Sequence, residues 1–376
     1  MGILSATAEA RKLDFGRLAQ QAVADGGPGL LRQSLQILGL RLGHRKFSPE
    51  EYYDYGLFRP GKRREARRTY LPMAENSAFN AGLTGPAYEA HAAVFIDKLE
   101  VERRLSAEGL PVARSRAYVT TGEVPDHAPN PLGSPEEVVR FLSDPSHYPL
   151  FGKPRASSFS LGAALFERPG EDEGTLVLGN GKTVEIEALA AEICTDWGDG
   201  YLLQDQLRNH ADLRRHLGPA TGLLRVVTLL AESGPEVLYA VQRLPSPSAM
   251  HDNATTGMRA HAGVDLATGK VAHIGVFGRG GARKRLNWML PDEALVGMRL
   301  PFFDEAMDLA RSVHRLFPKL ALVGADIALT DDGPVVVELN SNPWATTYQA
   351  GFDRGLLIPD TLARFDAARR LAMAAQ

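Results

Sequence analysis

Cysteine is almost missing from this chain: Cys194 stands alone among 376 residues. A single thiol excludes an internal disulfide framework and any thiolate-rich metal site, and a reducing compartment is the expectation. Long apolar runs are also missing. No stretch approaches the roughly 20 apolar residues that cross a bilayer, and Met1 to Lys12 lacks the basic-then-apolar profile of a signal peptide. "MGILSA" has alanine where the myristoylation pattern wants Ser or Thr. We therefore expect a cytoplasmic protein with no membrane span. Nor is there an excess of charge. The formal net charge of -3 gives no global attraction to nucleic acid or to an anionic membrane. No early strand runs into a glycine-rich turn, so a Rossmann fingerprint is absent.

What is present is an ordinary globular composition, 44% hydrophobic and 23% charged, on a chain long enough for two or three domains. Up to about Pro86 the pattern is mostly helical. Ser48-Pro49-Glu50-Glu51 supplies an N-cap, a first-turn proline and acids suited to a helix start. "RPGKRREARR", Arg59 to Arg68, holds six basic residues and one acid. It reads either as a solvated face or as a lip that attracts an anionic substrate. A helix is expected from about Ala90 to a stop at Gly109, then a strand near Arg116 to Thr120, and a second helix opened by Ser134-Pro135. Lys153 leaves an apolar strand just before a Ser and Gly loop, Ser157 to Gly162. Backbone amides there, with a lysine at the mouth, could hold phosphate oxygens. "YLLQDQLRNHADL" reads as strand, loop and short helix, and "TGLLRVVTLL" as a buried strand carrying Arg225, which needs either an acid or a bound anion as partner. "AGVDLATGKV" reads as a hairpin, "VFGRGGARKR" as a basic glycine-rich loop, and Phe302 to Phe317 as a helix.

The stretch "VGADIALTDDGPVVVELNSNPW" contains two strand-like runs around Asp331-Asp332-Gly333-Pro334, a hairpin signature. A three-residue loop, Asp331 to Gly333, places Asp326 opposite Glu338, and alternation puts Asn340 on the face of Glu338. Three oxygen-bearing side chains then converge. A hard cation such as magnesium prefers such ligands, leaving other positions to water and phosphate. The alternative is a hairpin whose polar face meets solvent, since a one-residue slip would send Asp326 to the other side.

Lys98 after "ID", Lys153 before proline, and the Asp326, Glu338, Asn340 hairpin together resemble the ATP-grasp superfamily over roughly residues 90–350. "LLQDQLRNHADL", "HDNATTGMRAHAGVDLATGKV" and "GADIALTDDGPVVVELNSNP" look most like its sugar-transfer associated branch. The resemblance implies an α+β ATP-grasp fold, two α+β subdomains sandwiching ATP: residues 1–89 form a helical, partly basic region, 90–200 the first subdomain, and 201–376 the second with the metal site. It implies Lys98 and Lys153 on the α- and β-phosphates, and Ser157, Ser158 and Gly162 in a loop closing on the triphosphate. Adenine would meet Gln204, Asp205, Gln206 and Leu207, and the ribose Asp212. Asp326, Glu338 and Asn340 would be metal ligands, with Glu338 bridging two Mg2+ ions that Mn2+ could replace. Many relatives carry an arginine two residues before the metal aspartate, but here Gly324 stands there, so Arg225, Arg279 and Arg283 are the candidates for the oxyanion role. Trp344 also occupies a position that is often small.

The activity so implied is an ATP-dependent carboxylate–amine ligase working through an acyl phosphate and releasing ADP and phosphate. Its substrates would be a small-molecule carboxylate and an amine, anionic or sugar-linked, with no nucleic-acid partner. A small-molecule or sugar kinase on the same fold and a non-catalytic nucleotide-binding module are the alternatives.

Overall fold

The computed structural model describes residues 2–4, 14–157, 161–218, 220–245, 259–277 and 295–376. Among the described residues seven α-helices precede the first strand, so the expected helical N-terminal region on an α+β chain holds: α1 Phe15–Ala24, α2 Leu30–Arg41, α3 Pro49–Asp54, α4 Pro60–Thr69, α5 Met73–Thr84, α6 Tyr88–Ile96 and α7 Lys98–Ala107. Local chemistry sets several of these starts. At α3 the Ser48 hydroxyl accepts from the Glu51 N–H at 3.1 Å while the Glu51 carboxylate accepts from the Ser48 N–H at 2.8 Å, a reciprocal cap. The helix expected from Ala90 to Gly109 is broken at Asp97, whose carboxylate accepts from the N–H groups of Leu99 and Glu100 and so begins α7.

The first sheet has strands β1 Ser115–Val119, β2 Pro131–Leu132, β3 Leu150–Pro154, β4 Ala164–Pro169, β5 Thr175–Leu178, β6 Thr183–Glu185 and β7 Tyr201–Asp205. They lie in the order β2-β1-β7-β3-β4-β5-β6, antiparallel apart from β1 with β2. Helices α8 Pro135–Leu142 and α9 Ile186–Asp196 cover it, with Val138, Phe141, Leu189 and Ile193 packed on Leu150, Phe166 and Leu203.

The second sheet is wholly antiparallel and comprises β8 Leu223–Leu229, β9 Glu236–Leu244, β10 Arg259–Val264, β11 Val271–Phe277, β12 Leu322–Thr330 and β13 Gly333–Asn340, ordered β11-β10-β9-β8-β12-β13. The short helix α10 Ala211–Leu217 joins the two sheets in sequence. One face of the second sheet buries α11 Phe303–Arg315 through Phe303, Ala306, Ala310 and Val313. Part of the other face is covered by α5, α12 Ala345–Phe352 and α13 Pro359–Ala374.

The sheets meet at the outer edge of β13. The Ala113 N–H donates to the Val336 carbonyl at 2.8 Å, and the Val336 N–H donates to the Pro111 carbonyl at 2.9 Å. The segment leading into β1 thereby covers an otherwise open edge.

Candidate nucleotide and phosphate site

The β12–β13 hairpin turns more tightly than expected. Thr330 pairs with Gly333, whose φ of +119° favours glycine, so only Asp331 and Asp332 lie between the strands. Uncorrected, that register would not put Asp326 opposite Glu338. A bulge at Val337 restores it: Ile327 pairs with Val336, but Asp326 pairs with Glu338 and Gly324 with Asn340. The bulge leaves the Val337 carbonyl to accept from Lys153 Nζ at 3.3 Å.

Two lysines from different elements arrive at this point. Lys98 opens α7, and its Nζ donates to the Ser157 carbonyl at 2.9 Å, while its backbone N–H donates to the Arg155 carbonyl at 3.1 Å. Lys153 lies near the end of β3. Burial pushes the Lys153 ammonium down to about 8; neighbouring Lys98 adds to this, while Glu338, Glu102 and Asp326 oppose it. Burial also lowers Lys98, against the pull of Glu338 and Asp97. Two buried ammonium groups sharing one carboxylate neighbour are costly to assemble, and clusters of this kind concentrate where charged ligands bind.

Asp326 has a different setting. It is fully buried and lies opposite Arg225 of β8, whose Nε and Nη2 grip both carboxylate oxygens, the second at 2.7 Å. Arg243 of β9 adds a third bond at 3.2 Å. Burial alone would raise the Asp326 pKa, but Arg225, then Arg243 and the Asn340 amide, hold it below the usual carboxylate range. The acid partner that Arg225 required is therefore Asp326. Arg243 lies on β9, "EVLYAVQRL", whose sequence carries no signal for an ion pair with an acid on β12.

The remaining expected residues are placed as follows. Ser157 contributes its carbonyl to Lys98. Gly162 has a φ of +74°, and a Cβ there would lie 2.6 Å from the Trp197 ring, so this glycine allows close packing. The Gln204 amide is turned toward Ser115 and the Ala113 carbonyl, at 3.1 and 3.3 Å. The N–H groups of Asp205 and Gln206 donate to the carbonyls of Arg114 and Pro149 at 3.3 and 3.4 Å, and the Leu207 carbonyl accepts from the Thr221 hydroxyl. Asp212 pairs with Arg215 and His210 at the start of α10, beside the hairpin turn, where Ala211 N–H donates to Asp331. The structure thus brings Lys98, Lys153, Glu338, Asp326 and Arg225 together, while Asp212 is engaged by Arg215 and His210. Ser158, Arg279 and Arg283 lie outside the described residues.

The donor set decides what fits here. Among the described residues no group of three or more His, Cys, Asp or Glu could hold a metal ion. Among the described residues Lys98, Lys153, Arg155, Arg225 and Arg243 stand against Glu338, Asp326, Glu102 and Asp97, a net positive cluster that disfavours a bare divalent cation. The same excess attracts a polyanion. Glu338 and Asn340 would therefore suit a magnesium ion only if phosphate oxygens supplied the rest of its ligands.

No curated protein matches the chain. Among solved structures it is similar to the D-alanine-D-alanine ligase from Coxiella burnetii, at 11% identity and a TM-score of 0.39, covering 76% of this chain and 60% of that one. It is similar to the ATP-grasp ligase PsnB complexed with minimal precursor, at 16% identity and a TM-score of 0.38, covering 76% and 64%. For the VanG D-Ala:D-Ser ligase from Enterococcus faecalis the values are 13%, 0.41, 75% and 62%. The chain spans less than two thirds of each of these proteins. Among the described residues no helix is long and apolar enough to cross a membrane. Residues 187–363, the stretch that holds Arg225, Arg243, Asp326, Glu338 and Asn340, match the family model described as sugar-transfer associated ATP-grasp, and over that stretch the chain is similar to this family.

Proposed function

We propose that the protein is an ATP-dependent carboxylate–amine ligase. The observation that carries this reading is the meeting of Lys98 and Lys153, from separate elements, with Glu338 on the second sheet. In this reading the two ammonium groups would neutralise the α- and β-phosphates, leaving the γ-phosphoryl group at the Glu338 and Asn340 end. A magnesium ion held there by Glu338 and Asn340 would bear the charge that moves with the phosphoryl group. Asp326 stands behind them and would share an ion only by giving up part of its pairing with Arg225 and Arg243. We assign Arg225 to fixing that carboxylate, with adenine at the end of β7 and the ribose toward Asp212.

The chemistry follows from where the γ-phosphoryl group is left. A carboxylate oxygen of the substrate attacks the γ-phosphorus, and the β–γ bridging bond breaks to release ADP. The amine nitrogen then attacks the acyl carbon, the phosphate leaves with the bonding electron pair, and the nitrogen loses a proton. A carboxylate needs this activation because it is otherwise a poor electrophile, and basic side chains stabilise the charge that develops on the oxygens. The test is an ATPase screen against pools of amino acids and sugar acids with hydroxylamine replacing the amine. ADP, inorganic phosphate and a hydroxamate should appear together. A stable phosphorylated product without free phosphate would identify a kinase and overturn the ligase reading.

A further inference from the structure

The turn that follows Asn340 is held by the N-terminal helices. Asn76 and Asn80, one turn apart on α5, are 1% and 3% exposed. Both amide nitrogens donate to Asn342 Oδ1, at 2.9 and 2.7 Å. Both also reach the Pro343 carbonyl, at 3.4 and 3.1 Å. Asn76 Oδ1 accepts from the Ala345 N–H at 2.9 Å, and the Asn342 amide donates to the Ser77 hydroxyl at 2.8 Å. Burying two asparagines is costly unless their donors and acceptors are matched, and here the matching groups all belong to residues 342–345. The turn is also pressed onto β12. A Cβ at Gly324 would lie 3.1 Å from Pro343 Cβ and 3.3 Å from Asn340 Cβ. Gly324 thus leaves room for the turn that folds over it.

We infer that Asn76 and Asn80 are positioning residues for the phosphate end of the site. They fix the turn that begins one residue beyond Asn340, so Asn340 is aimed at the bound ligand only while α5 is docked. The helical region before residue 90 is on this account part of the site, although neither asparagine touches the lysines. The same run of helices supplies Lys98, so one continuous segment, α5 to α7, sets both the lysine and the amide sides.

This inference rests on the nucleotide reading, and the experiment separates the two. Binding of the ATP analogue AMPPNP is measured by calorimetry with and without magnesium, in the wild type and in the Asn76→Ala, Asn80→Ala double variant. In the wild type magnesium should strengthen AMPPNP binding. In the double variant that magnesium-dependent gain should fall about tenfold, while magnesium-free binding, which depends on Lys98 and Lys153, stays within twofold. Amide hydrogen exchange across residues 339–346, which needs no ligand, should accelerate at least tenfold. An unchanged magnesium gain in a folded variant overturns the positioning role alone. No AMPPNP binding in the wild type overturns the nucleotide reading and this inference with it. If the double variant does not fold, Ser77→Ala removes one hydroxyl from the same latch. It should lower the magnesium gain by at least twofold, and an unchanged gain there counts equally against the inference.

Discussion

Lys153 shows at the scale of one residue how a candidate ligand-binding group is set against stability. Its charge is buried, and its Nζ donates to the Val337 carbonyl, 3.3 Å away. An ordinary lysine pKa of 10.5 falls to about 8, first through burial and next through Lys98. The depressed value means that the folded state resists the proton that the unfolded chain holds. At neutral pH, below both values, that penalty is fully present and is worth roughly 3 kcal/mol. It is relieved as pH rises from about 8 toward 10.5. Lys153→Met, of similar length, should therefore stabilise the protein by roughly 1 to 3 kcal/mol at pH 7. The gain should shrink as pH climbs through that window, while AMPPNP binding is lost. Thermal melts of both proteins between pH 7 and 10 check the first part and calorimetry the second. A variant less stable than the wild type at pH 7 would mean that the ammonium is satisfied in the folded protein.

Whole elements differ in how far their own residues announce them. Ser48-Pro49 and Ser134-Pro135 mark α3 and α8 because capping is local: the Ser134 hydroxyl accepts from the Glu137 N–H three residues on, at 3.3 Å. The expected hairpin appears as β10 and β11, and the helix from Phe302 as α11. Asp326 opposite Glu338 was also legible, although the turn and the Val337 bulge that produce this pairing were not. What stayed hidden has its cause far away in the chain. Asn76 and Asn80 look like surface residues until Asn342 is beside them, and "ATTYQAGF" shows no clear helical stripe. That segment becomes α12 because glycines let it lie directly on the sheet. A Cβ at Gly275 of β11 would sit 1.8 Å from the Ala350 carbonyl oxygen, and one at Gly263 of β10 2.6 Å from that of Gly351. Gly275→Ala should accordingly destabilise by roughly 3 kcal/mol, since backbone rather than a flexible side chain blocks it. Gly82→Ala, inside α5 with nothing within 4 Å, should instead stabilise by roughly 1 kcal/mol. Denaturant melts of the two alanine variants test this account of α12, and equal effects would refute it.

Across the whole molecule the net charge is only -3, yet Arg59 to Arg68 concentrates six basic residues. The structure divides that run by contact and exposure. Lys62 pairs with Asp353 beyond the end of α12 and lies over the Tyr70 ring, and Arg63 donates to the Leu57 carbonyl at 3.3 Å. Arg64, Arg67 and Arg68 are exposed on α4. The Lys62 to Asp353 pair joins α4 to the end of α12, whose other end follows the turn held by Asn76 and Asn80. Exposed charges of this kind can raise the local concentration of an anionic substrate before it docks. Screening limits that effect to low ionic strength, because the Debye length shrinks to about 8 Å in physiological salt. Reversal of Arg64 and Arg67 to glutamate should therefore raise the apparent KM for the anionic substrate severalfold at low salt, leave kcat unchanged, and lose its effect as salt is added. Arg63 and Lys62 are poor choices for this test because their replacement also breaks contacts within the fold. Kinetics of the Arg64, Arg67 double variant across a salt series decide the matter: a KM that does not respond to reversal at low salt would reduce the run to a solvated helix face.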